Sequence, residues 1–526
     1  MGGVIAAGSR ETAAAGAAIL ARGGNAVDAA VAAAFASFIA EIGVVHLGGS
    51  GIAQLYDPGN GRSFVYDFFS NTPGLDGPKP KPMDFAGVTI DFGSATQDFH
   101  LGRASVAVPG NIFGLCQMAA DYGRLPFPTL LEPALKLAQE GAVLDKFQTD
   151  TCRLLAPLYT HTAGMRQIFA RNGRLIQAGE KVFIPNLTET LTALAEEGEA
   201  LIRDGWLAQA IKADQQANGG LLTATDLAQY NVRKLDPICL HYREYEVLLP
   251  PLSSVGGVLT AFTLKLLAGF ELQTLEHGSS QHLQLLCEIM AATTRARELW
   301  DRYSDNMPIA EFLSEAFTGR FHDEVQQALR ARRPSPIAAE AKSPNNTSHL
   351  SVIDSEGLAV SLTTSAGESA GYVVPGTGFI PNNMMGEEDL HPLGFHTRPA
   401  GQRIPTMMTP AIVLKNEQPC LVMGSGGSAR IRSAIMQVLS NLLDFGMNLP
   451  NTVQAARVHI ENGVLQREAG FNEQAISELE SLGYPVNRWQ NRSLYFGGAH
   501  SVARMADGRL VGAGDERRGG AALEII

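Results

Sequence analysis

Thr347 opens a β-rich part of the chain directly after a segment rich in proline and asparagine. Residues 331–346 read A-R-R-P-S-P-I-A-A-E-A-K-S-P-N-N, which predicts an exposed, flexible segment. A hydroxyl residue at the start of a rigid strand is placed to attack the carbonyl group before it, here that of Asn346. The freed α-amino group of Thr347, with a pKa of about 8, then serves as general base for its own hydroxyl. From composition alone, an ordinary strand start is the favoured interpretation of Thr347, because Thr is common in strands, and self-cleavage between Asn346 and Thr347 is the alternative.

A glycine-rich loop is the second element whose residue types could take part in catalysis. Residues 424–428 read G-S-G-G-S, and residues 429–445 after them have a strongly helical pattern. Exposed N–H groups and the positive dipole end at the start of a helix stabilise a developing negative charge. The loop is thus a candidate oxyanion-binding element, and a plain turn is the alternative.

Two further polar residues lie close to Thr347 along the chain. Glu368, in the Gly-rich stretch 367–371, is a candidate for binding a substrate ammonium group, with a solvated loop carboxylate as the alternative. His349 is two residues from Thr347, so strand alternation places it on the same face of the strand. The sequence contains no Walker loop, dinucleotide fingerprint or H-E-x-x-H motif, and neither His349 nor His46 has a partner at metal-ligand spacing. It therefore predicts no metal and no cofactor.

Hydrophobic periodicity predicts the elements that position these residues. Residues 10–40 are Ala-rich and predict two helices, separated by a turn at residues 22–25 that also caps the second helix. Residues 71–100 are rich in Pro, Gly and Asp and are predicted to be an irregular surface excursion. Three more segments have clear patterns: a mostly helical stretch over 105–345, a hairpin over 347–365 and a hairpin over 411–423.

The composition limits the classes of protein and partner. The 526 residues are 45% hydrophobic and 18% charged, which suffices for a large core. A net charge of -12 argues against a nucleic-acid partner. The five cysteines lie far apart without C-x-x-C, which favours free thiols in a reducing compartment. The N-terminus lacks a signal-peptide pattern and the apolar stretch 26–40 is too short to span a bilayer, so we expect a cytoplasmic protein with no membrane partner, or a periplasmic one if a signal peptide was removed.

Several motifs together resemble the γ-glutamyltranspeptidase family. Residues 347–363, T-S-H-L-S-V-I-D-S-E-G-L-A-V-S-L-T, are similar to the start of the small subunit in that family. Further blocks occur in the order that the family has, at residues 23–30, 108–110, 132–134, 219–221, 242–245, 250–254, 382–384, 408–410, 424–431 and 512–515. Many blocks in the right order form a specific signal, whereas the T-x-H-x-S block alone would be a moderate one.

The resemblance implies an N-terminal-nucleophile hydrolase of the α+β class. Its fold would be a four-layer α/β/β/α sandwich with two stacked, mainly antiparallel sheets between helices. Residues 1–346 would form the large-subunit segment and residues 347–526 the small-subunit segment, and the two would interleave in one body. After cleavage the two fragments would be each other's partners, and a homodimer of such processed pairs is a further expectation.

The resemblance also assigns catalytic roles residue by residue. Thr347 matches the nucleophile, and Ser365 stands where the family has a Thr that supports the nucleophile by hydrogen bonding. A hydroxyl is retained there, so that role survives. The oxyanion-binding N–H groups would come from Gly426, Gly427 and Ser428.

The substrate-binding positions depart from the family pattern. Phe69 stands where the family has an Arg that grips the substrate α-carboxylate, Gly367 replaces an Asn, and Met384 replaces a Gln. Glu387 replaces an Asp, a conservative change, and Thr406 followed by Met407 replaces a Ser-Ser pair. Loss of a bidentate guanidinium is a large change for carboxylate recognition. Three arginines elsewhere in the chain are alternative anchors: Arg103, Arg398 and Arg403.

The expected activity is amide hydrolysis or acyl transfer through an acyl-enzyme on Thr347, with a small-molecule amide or γ-glutamyl compound as substrate. The activity that the resemblance names is γ-glutamyl transfer and glutathione-type hydrolysis. One alternative is an amidase for a different small acyl group, because the substrate-binding positions have changed. The other alternative, from another class, is an unprocessed binding or scaffold protein.

Overall fold

Two antiparallel sheets lie at the centre of the computed structural model, which describes residues 2–77, 79–91, 96–303, 307–336, 346–391 and 393–526. The first sheet has seven strands, in spatial order Arg233–Leu235, Arg62–Phe68, Ser50–Asp57, Ala359–Ser365, Ser348–Asp354, Gly3–Ala7 and Ala521–Ile525. The second sheet has six strands, in spatial order Ile238–Tyr242, Tyr245–Leu249, Ala411–Lys415, Gln418–Met423, Ser501–Arg504 and Leu510–Ala513.

The two sheets pack face to face, and helices cover both outer faces. Val4, Ile353 and Ala359 of the first sheet share an apolar cluster with Ile412 and Val422 of the second. Larger apolar clusters join the opposite face of each sheet to helices. Each sheet buries both faces, which requires four layers. The predicted α/β/β/α sandwich is therefore confirmed.

Helices lie in two groups. Against the first sheet pack Arg10–Ala21, Ala26–Ala40 and Asn111–Tyr122, with Phe127–Glu140 and Leu187–Glu197 outside them. The cluster on the second sheet includes Val255–Ala268, Ser280–Tyr303, Glu315–Ala331, Arg430–Leu443, Leu449–Gln454 and Glu473–Ser481. The shorter helices are Lys146–Leu154, Ala156–Tyr159, Ala163–Phe169, Ala200–Arg203, Trp206–Ala217, Ala224–Ala228 and Ile309–Phe312. Small sheets outside the two large ones contain Val458–Glu461, Val464–Arg467 and Val486–Arg488, Ala142–Val143 with Lys181–Val182, and Ala170–Arg171 with Arg174–Leu175.

The predicted turn between the first two helices is confirmed, whereas the prediction for residues 71–100 is wrong in part. Asn25 caps the second helix in a capping box with Asp28, as the Gly-Gly-Asn turn indicated. Within 71–100, however, Ala86–Asp91 and Thr96–Leu101 form an antiparallel hairpin. Its apolar side chains are buried against the rest of the molecule, and this tertiary contact outweighs the turn-rich local composition.

Both sheets contain strands from before and after residue 346. In the first sheet, Ala359–Ser365 and Ser348–Asp354 lie between Ser50–Asp57 and Gly3–Ala7. In the second, Tyr245–Leu249 pairs with Ala411–Lys415. Residues before and after position 346 therefore form one common core, although a cut after residue 346 would divide the chain into two fragments. The described part of the chain contains no helix long and apolar enough to cross a membrane.

A buried network of charges fixes the C-terminal region near the sheets. Asp515 accepts hydrogen bonds from Arg457 (2.7 Å) and Arg517 (3.1 Å), and Glu468 accepts another from Arg517 (2.5 Å). Burial opposes ionisation of Asp515, but the two guanidinium groups outweigh it and hold the pKa of this carboxyl well below its ordinary value. The network therefore depends on Asp515 being charged.

Replacing Asp515 by Asn should destabilise the protein strongly. The change leaves Arg457 and Arg517 buried without one of their counter-charges, a defect that costs about 3–5 kcal/mol. Urea unfolding followed by circular dichroism would measure the loss. The control is Asp507→Asn, which breaks an exposed Asp507–Arg509 pair (2.7 Å) and should cost under about 1 kcal/mol. Equal effects of the two changes would contradict the role assigned to the network.

Candidate active site

Thr347 and Ser365 lie opposite each other at one end of the central hairpin. The strands pair in a register in which Ser348 faces Thr364, so the next residues along, Thr347 and Ser365, are neighbours. Alternate side chains of this hairpin point between the two sheets: Ala359 joins the apolar cluster there, and Ser361 donates a hydrogen bond to the backbone of Met423 in the second sheet. Strand alternation therefore directs Ser365 to the same interior face.

The hydroxyl of Ser365 is aimed at the carbonyl of the predicted scissile bond. Its Oγ donates a hydrogen bond to the backbone oxygen of Asn346 at 2.6 Å. The N–H group of Gly367 in turn donates to Ser365 Oγ at 3.0 Å, which orients the hydroxyl. A donor held at this distance stabilises the negative charge that develops on a carbonyl oxygen under attack.

Burial of the predicted scissile bond corrects one expectation. Asn346 is only 7% exposed and Thr347 only 4%, whereas the sequence predicted an exposed segment up to residue 346. Residues 331–336 of that segment are exposed or half-buried, as predicted, and residues 337–345 lie outside the described residues. Attack by a neighbouring hydroxyl within the same chain needs no access for a second protein, so a buried bond is compatible with self-cleavage.

Glu368 grips Asn346 at two points. One carboxylate oxygen accepts a hydrogen bond from the Asn346 backbone N–H (3.0 Å), and the other accepts from the side-chain amide (2.7 Å). Glu368 is buried, so the alternative of a solvated loop carboxylate is wrong. Burial raises the pKa of this carboxyl to about 8, while the hydrogen bonds from Asn346 and the charge of Arg518 act in the opposite direction.

Arg518 is a site residue that the sequence reasoning missed. One guanidinium nitrogen donates to the backbone oxygen of Thr347 at 3.2 Å, and another donates to that of Leu494 at 3.3 Å. Burial, with some help from the charge of Arg430, lowers the pKa of Arg518 to about 10. The motif at residues 512–515 lies just before it, but no local pattern distinguishes a buried arginine from an exposed one.

The glycine-rich loop lies beside the backbone of Thr347. A Cβ atom at Gly426 would collide with the carbonyl oxygen of Thr347, so only glycine permits this approach. Gly427 and Ser428 both have positive φ angles, 122° and 51°, and the helix Arg430–Leu443 follows. Of the three predicted oxyanion-binding residues, Ser428 lines the cavity described next, whereas Gly426 and Gly427 lie behind it.

A cavity of about 850 Å³ opens in front of Thr347. Seven residues assigned from the sequence line it: Phe69, Thr347, Ser365, Met384, Glu387, Thr406 and Ser428. Much of the remaining wall is apolar and includes Leu252, Val255, Trp300, Leu390, Met407 and Met408. The predicted nucleophile and four of the five predicted substrate-binding residues therefore line one space. The fifth, Glu368, does not line it and contacts Asn346 instead.

Glu387 is buried close to Gly367. A Cβ atom at Gly367, which has a φ angle of 64°, would collide with the carboxylate of Glu387 and the amide oxygen of Asn383. The glycine therefore makes room for the carboxyl group. Burial, followed by the charges of Glu368 and Asp389, raises the pKa of Glu387 well above its ordinary value.

The arginines proposed as alternative carboxylate anchors have different surroundings. Arg103 is bound to Asp84 and Asp214 and does not line the cavity. Arg403 lines it, but its guanidinium is occupied by the backbone oxygen of Phe69, the hydroxyl of Tyr230 (2.6 Å) and the backbone oxygen of Asn231 (2.7 Å).

Two cavity arginines remain available for a ligand. Arg398 and Arg233 line the cavity, and their guanidinium groups form no hydrogen bond or ion pair within the described part of the chain. Both lie on its wall with Phe395 and Arg403, and Phe69 occupies the position at which the sequence comparison expected an arginine. No cluster of three or more His, Cys, Asp or Glu among the described residues has the arrangement of a metal site.

Comparison with known proteins decides the family. The sequence model of a family described as Gamma-glutamyltranspeptidase matches residues 12–525. The chain belongs to the γ-glutamyltranspeptidase family. Membership makes it an enzyme, a γ-glutamyltransferase-like amidohydrolase or acyltransferase of the self-processing kind, and not an inactive scaffold protein.

Relatives within the family have different names. The chain is 32% identical to the Acylase ACY 1 proenzyme of Pseudomonas sp. (strain SE83), over 97% of this chain and 91% of that one. It is 29% identical to the Glutathione hydrolase proenzyme of Escherichia coli (strain K12), over 95% of this chain and 87% of that one. The crystal structure of cephalosporin acylase from Bacillus halodurans shares the fold, with a TM-score of 0.84 at 24% identity, over 99% of this chain and 95% of that one.

Replacing Ser365 by Ala should slow self-cleavage. The change removes the hydroxyl donor to Asn346, and loss of one such donor typically lowers a rate about 10²–10³-fold. The measurement is the time course of fragment appearance after synthesis of the chain, followed by intact mass. Ser365→Thr keeps the hydroxyl and should cleave nearly normally, and Ser361→Ala removes a hydroxyl from the same strand face without touching Asn346. Normal cleavage by Ser365→Ala would contradict the assignment.

Proposed function

We propose that the enzyme cleaves its own chain between Asn346 and Thr347 and then works through an acyl-enzyme on Thr347. The observation that carries the proposal is the Ser365 hydroxyl, which donates to the carbonyl oxygen of Asn346 at 2.6 Å beside Thr347. This arrangement supplies a nucleophile, the carbonyl before it and a donor for the developing oxyanion in one buried place.

Self-cleavage proceeds by transfer of an acyl group within the chain. Thr347 Oγ attacks the carbonyl carbon of Asn346, and the Ser365 hydroxyl stabilises the charge that develops on the oxygen. The C–N bond then breaks, and its nitrogen takes up the proton that the Thr347 hydroxyl lost in the attack, which makes it the α-amino group of Thr347. The acyl group of Asn346 is left as an ester on Thr347 Oγ. Water hydrolyses this ester and leaves a carboxylate on Asn346 and a free hydroxyl on Thr347.

Turnover repeats the same chemistry on a substrate amide. The α-amino group of Thr347, with a pKa of about 8, accepts the proton of its own hydroxyl as Oγ attacks the substrate carbonyl. The leaving amine takes a proton, and the substrate acyl group remains as an ester on Thr347. Water or a second amine then releases it as an acid or as a new amide. The N–H groups of residues 426–428 support the oxyanion in this cycle, because the following helix adds its positive dipole end.

The main substrate class that we propose is the γ-glutamyl amides, including glutathione-type compounds. Family membership and the relatives named as glutathione hydrolases support this class. Glu387, Thr406 and Met384 line the acyl side of the cavity with Thr347, in the positions that the resemblance assigned to substrate binding. Persistent association of the two cleaved fragments follows from their shared sheets, whereas a homodimer and a cytoplasmic location stay predictions.

A second candidate class is favoured by one specific observation. Phe69 is buried against the cavity where the family has a carboxylate-binding arginine, and the nearby Arg403 is occupied by protein groups. A substrate carboxylate beside Phe69 loses water and gains no guanidinium from Phe69 or Arg403, and among the described residues only Arg398 and Arg233 farther along the wall are left to bind it. Amides of small acyl groups without the α-carboxylate therefore suit the site, and a relative named as an acylase supports this alternative.

Replacing Thr347 by Ala should abolish both self-cleavage and turnover, because one hydroxyl serves both reactions. Thr347→Ser keeps a hydroxyl and should retain part of each activity. Intact-mass measurement of the purified wild-type protein should give two fragments separated between Asn346 and Thr347, and Thr347→Ala should give one chain. Cleavage of Thr347→Ala at the same bond, or a wild-type chain that stays intact, would overturn the proposal.

Adding an α-carboxylate to the acyl group of the substrate should not raise kcat/KM for this enzyme. In an enzyme with a bidentate arginine, such a charge-assisted contact is worth about 3 kcal/mol, or about a hundredfold in kcat/KM. We expect kcat/KM for a γ-glutamyl anilide to be no higher than for the matched 4-aminobutanoyl anilide, which lacks only the carboxylate. Likewise, we expect kcat/KM for glutaryl anilide to be no higher than for butanoyl anilide, which lacks only the carboxylate.

A pair of variants tests the cause. Phe69→Arg should raise the ratio of γ-glutamyl to 4-aminobutanoyl turnover about tenfold or more, since it restores a guanidinium, and Phe69→Leu should leave the ratio unchanged. A wild-type enzyme that strongly prefers the γ-glutamyl compound would show that another arginine, such as Arg398, binds the carboxylate.

A further inference from the structure

Asn346 occupies the place that a substrate acyl group takes later. In the uncleaved chain its carbonyl lies beside Thr347, and self-cleavage makes its acyl group an ester on Thr347 Oγ. Every substrate acyl group later forms the same ester on the same atom. The groups that hold Asn346 in the precursor are therefore the groups that an acyl substituent meets during turnover.

The side-chain amide of Asn346 places a nitrogen at the same number of bonds from the acyl carbon as the amino group of a γ-glutamyl group. In asparagine, the amide nitrogen Nδ2 is four bonds from the backbone carbonyl carbon. In a γ-glutamyl group, the amino nitrogen is also four bonds from the acyl carbon. Glu368 accepts a hydrogen bond from Asn346 Nδ2 at 2.7 Å, so its carboxyl group lies where an amino group of the substrate would arrive.

Cleavage changes the charge at this place. It converts the neutral carbonyl of Asn346 into a carboxylate, next to the buried acidic side chains Glu368 and Glu387. A new carboxylate in this poorly solvated place loses its hydration beside two carboxyl groups that burial already keeps from ionising, which favours departure of Asn346. Departure also leaves both oxygens of Glu368 without the donors that bound them. A cationic donor is the natural replacement, because a buried carboxyl group without a partner is costly.

We propose that Glu368 binds two ligands in succession: Asn346 in the precursor and then, in the mature enzyme, an amino group on the acyl part of the substrate, four bonds from the acyl carbon. The inference rests on the proposed function and specifies its substrate class. Combined with Phe69, it points to acyl groups that carry this amine and need no carboxylate beside it, of the 4-aminobutanoyl type. Glu368 is then a residue that selects the substrate and also positions the bond that is cut in self-processing.

Two matched pairs of substrates isolate the amine in the wild-type enzyme. The pairs are γ-glutamyl with glutaryl anilide and 4-aminobutanoyl with butanoyl anilide, and within each pair only the amino group differs. We expect the amine to raise kcat/KM at least tenfold in both pairs. A blank with Thr347→Ala corrects for spontaneous loss of the anilide. Turnover with no gain from the amine in either pair would overturn this inference and leave the proposed acyl-enzyme mechanism in place, whereas absence of any turnover would count against the mechanism itself.

The variant Glu368→Gln tests the residue. The amount of processed protein is measured first by intact mass, and kcat/KM is expressed per processed site. The ratio of amine-bearing to amine-free substrate should fall toward one in both pairs, whereas general structural damage would lower both members of a pair alike. The control Glu356→Gln alters an exposed glutamate in the turn of the hairpin at residues 348–365, and it should keep the wild-type ratio. An unchanged ratio in Glu368→Gln would overturn the assignment. If this variant fails to cleave, that failure supports the precursor role, and the wild-type pairs decide the substrate role.

Discussion

The short contact between the Ser365 hydroxyl and the carbonyl oxygen of Asn346 is the interaction on which the site depends. It requires Thr347 and Ser365 to face each other at the end of a hairpin, with neither strand shifted by one residue. Burial of this hairpin on both faces enforces that register, because a slip of one residue would exchange every apolar contact between the faces. The four layers of the fold are therefore part of the chemistry, since they hold a hydroxyl, its own carbonyl and a donor in fixed positions.

Charge around this contact is arranged at considerable cost. Three ionisable side chains around this contact are buried, and burial opposes ionisation of each: Glu368, Glu387 and Arg518. Structures retain such groups where they have partners or a function. Here the precursor supplies some of the partners itself: Asn346 satisfies Glu368, and the backbone oxygen of Thr347 satisfies part of Arg518. In the proposed mechanism, self-cleavage removes the first of these partners, so the reaction that creates the nucleophile would also free Glu368 for a substrate.

Specificity in this cavity is decided by which charged groups are already occupied. Arg403 lies on the cavity wall, yet its guanidinium binds backbone oxygens and the Tyr230 hydroxyl and supports the chain around Phe69. Arg403 therefore lines the cavity without having a guanidinium group free to bind a ligand. Phe69, Met384 and Met407 add apolar surface to the same cavity, which supports the proposal that a substrate carboxylate is not required.

The sequence alone determined the family, the fold class, the location of the hairpin at residues 347–365 and seven of the residues that line the cavity, because these depend on local periodicity and on motifs whose order survives along the chain. Periodicity also located the capped turn at Asn25. Tertiary structure alone decided the hairpin within residues 71–100, the burial of Asn346, and the partners of Glu368 and Arg403. It also revealed Arg518, which is far from Thr347 in sequence. The physical reason is that burial and the pairing of charges arise from segments hundreds of residues apart, and no local pattern records whether a carboxylate or a guanidinium will meet water, protein or substrate.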